Sequence, residues 1–255
     1  MQSGGRTITS YDLRAVSADK QDELGAEGRT EDARIFRYAQ IGSTQVNAGL
    51  CVCSPIPYVS VTKTVPVVTA VTASVNANTV TITAGATAIT QDQFVDGFFT
   101  VVGGTGKGCA YRIKGNTVGL ANGSCTFYLA EPLYQSVDTT SKVVLQVNPW
   151  SGLTTQVGAG SSSDNPRVAG VTTTVVPANY YCWVQTNGMG TLTSDLQATV
   201  YSGLNLVLSN TGTPVTGCVQ TAIGNADADK QNVGVAYSDT PTTGSACVSA
   251  YLTIG

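Results

Sequence analysis

The charged residues of this 255-residue chain are crowded at one end. The first 37 positions hold six of the 13 Lys and Arg residues and seven of the 16 Asp and Glu residues. The positions that follow are dominated by Thr, Val, Ala, Ser and Gly, so exposed side chains there must be mostly hydroxyl and amide groups. This distribution predicts a charged N-terminal segment followed by a body with few side chains able to do chemistry.

The composition of the body favours β-strands. Thr and Val carry two heavy atoms on Cβ, which restricts χ1 and suits a pleated, half-buried surface. Short runs of such residues alternate with Gly, Asn and Pro, and no segment has a long helical period. The chain is therefore expected to be all-β, with an antiparallel sandwich, a jelly-roll-like arrangement or a barrel as its body. Predicted strands include 34–41, 65–73, 79–83, 98–102, 110–114, 126–130, 142–148, 173–176, 180–186, 198–201, 204–209, 217–221, 233–237 and 246–254.

The Gly- and Ser-rich stretch 158–166 is the expected boundary within the body, because it has the composition of an exposed loop. It would separate a first β-rich part, 34–157, from a second, 167–255, unless 34–255 is one continuous domain. Residues 1–33 have too few apolar side chains to fold alone. Two interpretations stay open for this N-terminal arm: a disordered tail, or an arm that becomes ordered against a neighbouring subunit.

Several kinds of chemistry are excluded by what the chain lacks. It contains no His, which removes Ser–His–acid triads, Cys–His pairs and histidine metal centres. Residues 103–108 look like a phosphate-binding loop, but Val101 stands where the first Gly is required and Gly108 where Ser or Thr is required. A hairpin turn is the better interpretation. We predict no catalytic, cofactor-binding or metal-ligating residue, and the only route left to an enzyme is an unseen carboxylate pair acting on a polysaccharide.

Charge and hydropathy exclude some classes of partner, and the cysteine count bears on disulfide bonding. A net charge of −3 and a pI near 4.8 argue against nucleic acid. No run of about 20 apolar residues is present, so no membrane partner is expected. No apolar segment follows Arg6, which indicates synthesis in a host cytoplasm without a secretory signal. The seven cysteines are an odd number and are expected to be small buried hydrophobes rather than a disulfide framework.

Four phrases spread over residues 34–255 carry a family resemblance. They are Arg34-Ile35-Phe36-Arg37-Tyr38-Ala39 with Gly42 and Ala48-Gly49-Leu50; Gly115-Asn116-Thr117 with Cys125-Thr126-Phe127-Tyr128-Leu129-Ala130-Glu131-Pro132-Leu133; Tyr180-Tyr181-Cys182-Trp183-Val184-Gln185-Thr186-Asn187-Gly188; and Val233-Gly234-Val235-Ala236. Together they resemble a diffuse group of tailed-bacteriophage virion proteins, and within it the capsid decoration, or cement, proteins. The resemblance implies an all-β body, no catalysis and a symmetric oligomer.

Such a protein would bind the major capsid protein on the outer surface of the virion and associate with itself, as a homotrimer. The alternative is a head-fibre or tail receptor-binding protein, in which aromatic side chains such as Trp150, Trp183 and the Tyr180–Tyr181 pair stack on glycans. A charged arm suits polar, directional contacts with a lattice. The candidate residues of the arm and its junction with the body are Tyr11, Arg14, Arg34, Phe36, Arg37 and Tyr38.

Overall fold

The computed structural model describes residues 5–54, 68–69, 72–86, 88–155, 167–195, 199–209, 217–222, 231–240 and 247–254. Within these ranges the chain forms sixteen β-strands and no helix, which confirms the all-β prediction. No helix that could cross a membrane occurs there. The strands are β1 (Arg6–Thr7), β2 (Glu27–Arg29), β3 (Ile35–Gln40), β4 (Cys51–Cys53), β5 (Val68–Thr69), β6 (Thr79–Thr83), β7 (Phe98–Gly103), β8 (Ala110–Asn116), β9 (Ser124–Leu129), β10 (Lys142–Gln146), β11 (Val168–Thr172), β12 (Tyr181–Thr193), β13 (Asn205–Leu208), β14 (Val219–Thr221), β15 (Asn232–Ala236) and β16 (Cys247–Thr253).

The chain divides into two compact units, and one is inserted into the sequence of the other. The outer unit comprises Met1–Pro55 and Trp150–Gly255, and the inserted unit comprises Ile56–Pro149. This grouping differs from the boundary expected at 158–166, a stretch that lies outside the described residues. The physical reason is strand pairing, because β3 and β4 from the start of the chain pair with β12 and β11 from its second half.

The outer unit is built on one long strand. The thirteen residues of β12 pair with β3 along the first half of the strand and with β16 along the second half. The sheet continues in the order β16, β15, β13, β14. A parallel bridge between Ser194 and Val219 then brings β14 back beside the end of β12, so these five strands close on one another. Their inward side chains, among them Leu192, Val233 and Leu252, are fully buried in one apolar cluster.

The two ends of the outer unit that flank the insertion lie side by side. The Cys53 N–H donates to the Thr154 carbonyl at 2.8 Å, and the Thr154 N–H donates back to the Cys53 carbonyl at 3.2 Å. The Ser54 N–H also donates to the Arg167 carbonyl at 2.9 Å. These hydrogen bonds fix the points where the chain leaves the outer unit and returns to it.

The inserted unit is a six-stranded antiparallel sheet in the order β5, β10, β7, β8, β9, β6. Residues of β6 and β9 alternate between the buried interior and the exterior, as the period of two requires. Phe94, Phe99 and Phe127 lie in its core with ring centroids about 6 Å apart. On the exterior, Thr81 and Thr126 lie opposite each other with their hydroxyl oxygens 3.1 Å apart.

Local sequence patterns predict some elements and fail at others. The strand 79–83 is confirmed, and residues 103–108 form the predicted hairpin turn, with φ of 71° at Gly104 and 78° at Gly106. Because Cys51-Val52-Cys53 forms β4, both thiols enter one apolar cluster and Val52 enters another. The predicted strand 173–176 is wrong, since β11 ends at Thr172 and the β-branched residues after it form a bend.

Candidate interaction surface

Three candidate residues lie on β3 and the fourth, Arg34, directly precedes it; the four are divided between two environments. Phe36 and Tyr38 are buried, whereas Arg34 and Arg37 are half-buried at the surface. The change from Phe36 to Arg37 to Tyr38 is the alternation of a strand with one face toward a core. Arg34 lies over the Phe36 ring, 5.7 Å from its centroid, so its charge is next to the buried aromatic group but not within it. Phe36 and Tyr38 therefore belong to the core, and Arg34 and Arg37 are the two of these candidates that are accessible to a partner.

The described part of the charged segment, residues 5–33, packs on the chain's own body through a small aromatic cluster. Ile8 and Leu13 are buried with Phe36, Tyr38 and Trp183, and we call this group the docking cluster. Tyr38 stacks on Tyr181 at 5.9 Å and meets Trp183 edge-on at 5.2 Å. These aromatic rings are thus core groups here. An arm that attaches to a partner stays a prediction.

Backbone contacts hold the same segment in place. Strand β1 pairs in parallel with β2, and β2 pairs antiparallel with β3. The Gln21 N–H donates to the Tyr38 hydroxyl at 2.9 Å. Burial raises the pKa of Tyr38, so this hydroxyl stays protonated at ordinary pH. The segment is therefore attached by two short strand pairings, one buried hydroxyl and the docking cluster.

Ion pairs neutralise much of the charge within the segment. Glu27 accepts from Arg29 at 2.7 Å and from Arg37 at 2.9 Å, and Arg37 also donates to the Gly25 carbonyl at 3.1 Å. Arg6 pairs with Asp22 at 2.7 Å. Pairs with this much exposure contribute about 0–1 kcal/mol each. They orient side chains more than they stabilise the fold.

A tight turn projects the two remaining candidates away from the body. The backbone N–H and hydroxyl of Thr9 donate to one Asp12 carboxylate oxygen at 2.7 and 2.8 Å. The backbone bond from Thr9 is the larger cause of a lowered pKa at Asp12. Leu13 points inward, while Tyr11 is 81% exposed and Arg14 is also exposed. Arg14 has no ion pair with any residue in the described ranges. We call this element the Tyr11 turn.

A pocket of about 430 Å³ opens in the outer unit beside Arg37. Its apolar lining includes Ile35, Val168 and Ile254, and its polar lining includes Arg167, which is exposed. The Gln231 side chain closes one wall, because its amide oxygen accepts from the Val168 N–H at 2.8 Å. Sequence reasoning missed Arg167 and Gln231, and no local motif around either residue could have revealed them.

The five buried thiols offer little nucleophilic chemistry, whereas Cys109 is half-buried and Cys247 is exposed. All seven cysteines are free, and burial raises the pKa of Cys53 and Cys182 to about 12 and that of Cys218 to about 11. A thiol with such a pKa is almost entirely protonated at neutral pH, and the thiolate is the reactive form. Over the part of the chain that the structure describes, no group of three or more Cys, Asp or Glu side chains could hold a metal ion.

Comparison of this chain with protein-family models, with curated proteins and with solved structures found no match.

Proposed function

We propose that this chain is a structural virion protein that binds the outside of a tailed-phage capsid lattice and stabilises it, without catalysis or a cofactor. The observation that carries the proposal is the Tyr11 turn. An exposed tyrosine and an exposed arginine project from a turn whose other side is anchored by buried Leu13. Tyr and Arg are, with Trp, the side chains enriched among residues that dominate binding energy. The sequence phrases that resemble cement proteins give the partner, the major capsid protein.

Binding of this chain to a shell would be linked thermodynamically to the assembly of that shell. A protein that binds the assembled shell and not its separate subunits shifts the equilibrium toward the shell by mass action. For this the bound protein must hold its contact residues rigidly, so that little conformational entropy is lost on binding. In the Tyr11 turn, the two hydrogen bonds from Thr9 to the Asp12 carboxylate limit the freedom of the backbone that carries Tyr11 and Arg14. Copies of the chain would surround a symmetry axis of the lattice, and neither nucleic acid nor a membrane takes part.

The test is binding to purified shells that lack the protein, measured by co-sedimentation. Tyr11→Ser and Arg14→Ser should each weaken binding about thirtyfold, since truncating an anchor costs about 2 kcal/mol. Tyr128→Ser and Lys114→Ser are matched controls, because both positions are exposed on strands of the inserted unit. All four variants should unfold at the temperature of the parent protein. Equal binding by the parent and both turn variants would refute the proposal.

A glycan-binding virion protein is the second candidate, and one observation favours it. Phe98 and Tyr128 are 37% and 44% exposed on the outer face of the inserted unit, with Arg112 on the strand between them. Exposed rings beside hydrogen-bonding groups suit the apolar and polar faces of a sugar. Tyr128→Ser would then abolish adsorption to host polysaccharide while leaving shell binding unchanged. Gel densitometry of virions separates the two roles, because cement is present in fixed ratio to the major capsid protein and a fibre in far fewer copies.

A further inference from the structure

Five consecutive neighbours in the sheet of the outer unit contain no charged residue. These are β12, β16, β15, β13 and β14, which are neighbours in one sheet. In the sheet of the inserted unit, β8 carries Arg112 and Lys114 and β10 carries Lys142, whereas the other four strands carry no charge. A charge-free set of strands is expected in a protein interior, yet one side of this sheet faces outward.

The outward side chains are brought together by strand register. Tyr251 on β16 lies opposite Met189 on β12 and opposite Val235 on β15. One step along, Ser249 lies opposite Thr191, and the Tyr237 N–H donates to the Ser249 carbonyl at 2.7 Å. We call this surface the uncharged face. Its members are Met189, Thr191, Thr193, Val235, Tyr237, Cys247, Ser249, Tyr251 and Thr253.

The uncharged face has the composition of an interface core. Tyr237, Met189 and Tyr251 are 60%, 43% and 40% exposed. A buried aromatic side chain removes about 150–250 Å² from water, so the two tyrosines alone offer about 200 Å². Interface cores are enriched in Tyr and Met and depleted of Lys, Glu and Asp. The outward side of the inserted unit's sheet differs, since it carries Arg112, Lys114 and Lys142.

Charge decides which partner fits this face. Next to a rotation axis each residue lies close to the same residue of another copy, so a charged group there meets its own sign. A face without charge avoids this repulsion, whereas the N-terminal segment, with its many charges, suits a partner of different sequence. A charged partner on the uncharged face would lose hydration and gain no counter-charge.

We propose that the uncharged face lies against the same face of further copies of this chain, around the axis of a closed oligomer. This inference rests on the proposed function, because the rotation axis of the oligomer is taken from the lattice of the shell that the copies would surround. It adds the surface through which the copies meet. The two contacts use different surfaces: the uncharged face binds other copies, and the Tyr11 turn binds the shell.

The experiment measures the mass of the full chain in solution by light scattering after gel filtration, over a range of concentrations. Tyr251→Lys places a charge in the middle of the face, and we expect it to weaken self-association about tenfold or more. Tyr128→Lys is the matched control, because Tyr128 is also a mid-strand tyrosine of similar exposure, in the inserted unit. Ser249→Lys repeats the test on the same face should Tyr251→Lys fail to fold. Maleimide labelling of Cys247 gives a second readout, since this exposed thiol should be protected in the oligomer and reactive in the lysine variant.

The outcomes separate the two proposals. An oligomeric parent and Tyr128→Lys, with a monomeric Tyr251→Lys, support the uncharged face as the self-association surface whether or not the chain binds shells. A parent that stays monomeric at every concentration, or a Tyr251→Lys variant that stays oligomeric, overturns it. Loss of shell binding in Tyr251→Lys without any change in mass also overturns it, because the face would then contact the shell. Loss of shell binding only in the Tyr11 turn variants leaves the inference standing.

Discussion

Gly28→Ala should loosen the N-terminal segment from the body. Gly28 lies on β2 opposite Phe36, and its missing side chain leaves room for the docking cluster. A Cβ added there would lie 2.7 Å from Ile8 Cδ1 and 2.9 Å from Trp183 Cζ3, closer than such atoms approach in folded proteins. Overpacking of this kind costs about 1–3 kcal/mol. Since both clashing side chains are buried, neither can move aside into solvent.

The assay combines chemical unfolding with hydrogen exchange of the peptides that cover β1 and the Tyr11 turn. We expect faster exchange in these peptides and a lower free energy of unfolding. Gly85→Ala is the matched control, because a Cβ at Gly85 meets no atom within 4 Å, and it should cause no loss.

A double variant tests whether the added methyl group at position 28 contacts the Ile8 side chain. Ile8→Ala alone leaves a cavity and should cost about 2–5 kcal/mol. In Gly28→Ala with Ile8→Ala, the new methyl group enters the space that the isoleucine vacated, so the two costs should sum to more than the cost of the double variant. A coupling of about 1 kcal/mol is expected for residues in contact. Strict additivity, or unchanged exchange in Gly28→Ala, would show that this contact does not hold the segment.

Three further predictions concern single groups. Asn116→Ala should destabilise the inserted unit by about 3 kcal/mol, because the buried amide makes three hydrogen bonds, and calorimetry checks this. The pKa of Cys53 and Cys182 is raised from 9.0 to about 12, so the free energy of unfolding should hold below pH 9.0 and fall above it by about 1.4 kcal/mol per pH unit for each thiol; urea titrations showing a flat profile would contradict this. The stabilisation from Asp12 should be present above pH 3.8 and lost as the pH falls through its lowered folded-state pKa, and an NMR titration midpoint at or above 3.8 would contradict the Thr9 contacts.

The sequence predicts local alternation well and long-range pairing poorly. Thr79–Thr83 is found as predicted because branched, alternating side chains specify both the strand and its buried face. The bend after Thr172 contradicts the same propensity, and pairing resumes only at the isolated bridge between Val46 and Val176. Phe36 and Tyr38 were expected at an interface, but their burial depends on Trp183, which lies far away in sequence on β12. The pocket beside Arg37 could not be predicted for the same reason, because its other lining residues come from segments that are far away in sequence.

The paired hydrogen bonds between Cys53 and Thr154 have a consequence for how this protein could be remodelled. Because the outer unit itself holds these two positions together, whatever joins them needs only to begin and end at neighbouring points. Insertions are tolerated best at sites of this kind, where the host already closes the loop. Residues 56–149 are therefore a segment that a short turn or a foreign domain with adjacent termini could replace, which would make the chain a carrier for displayed cargo.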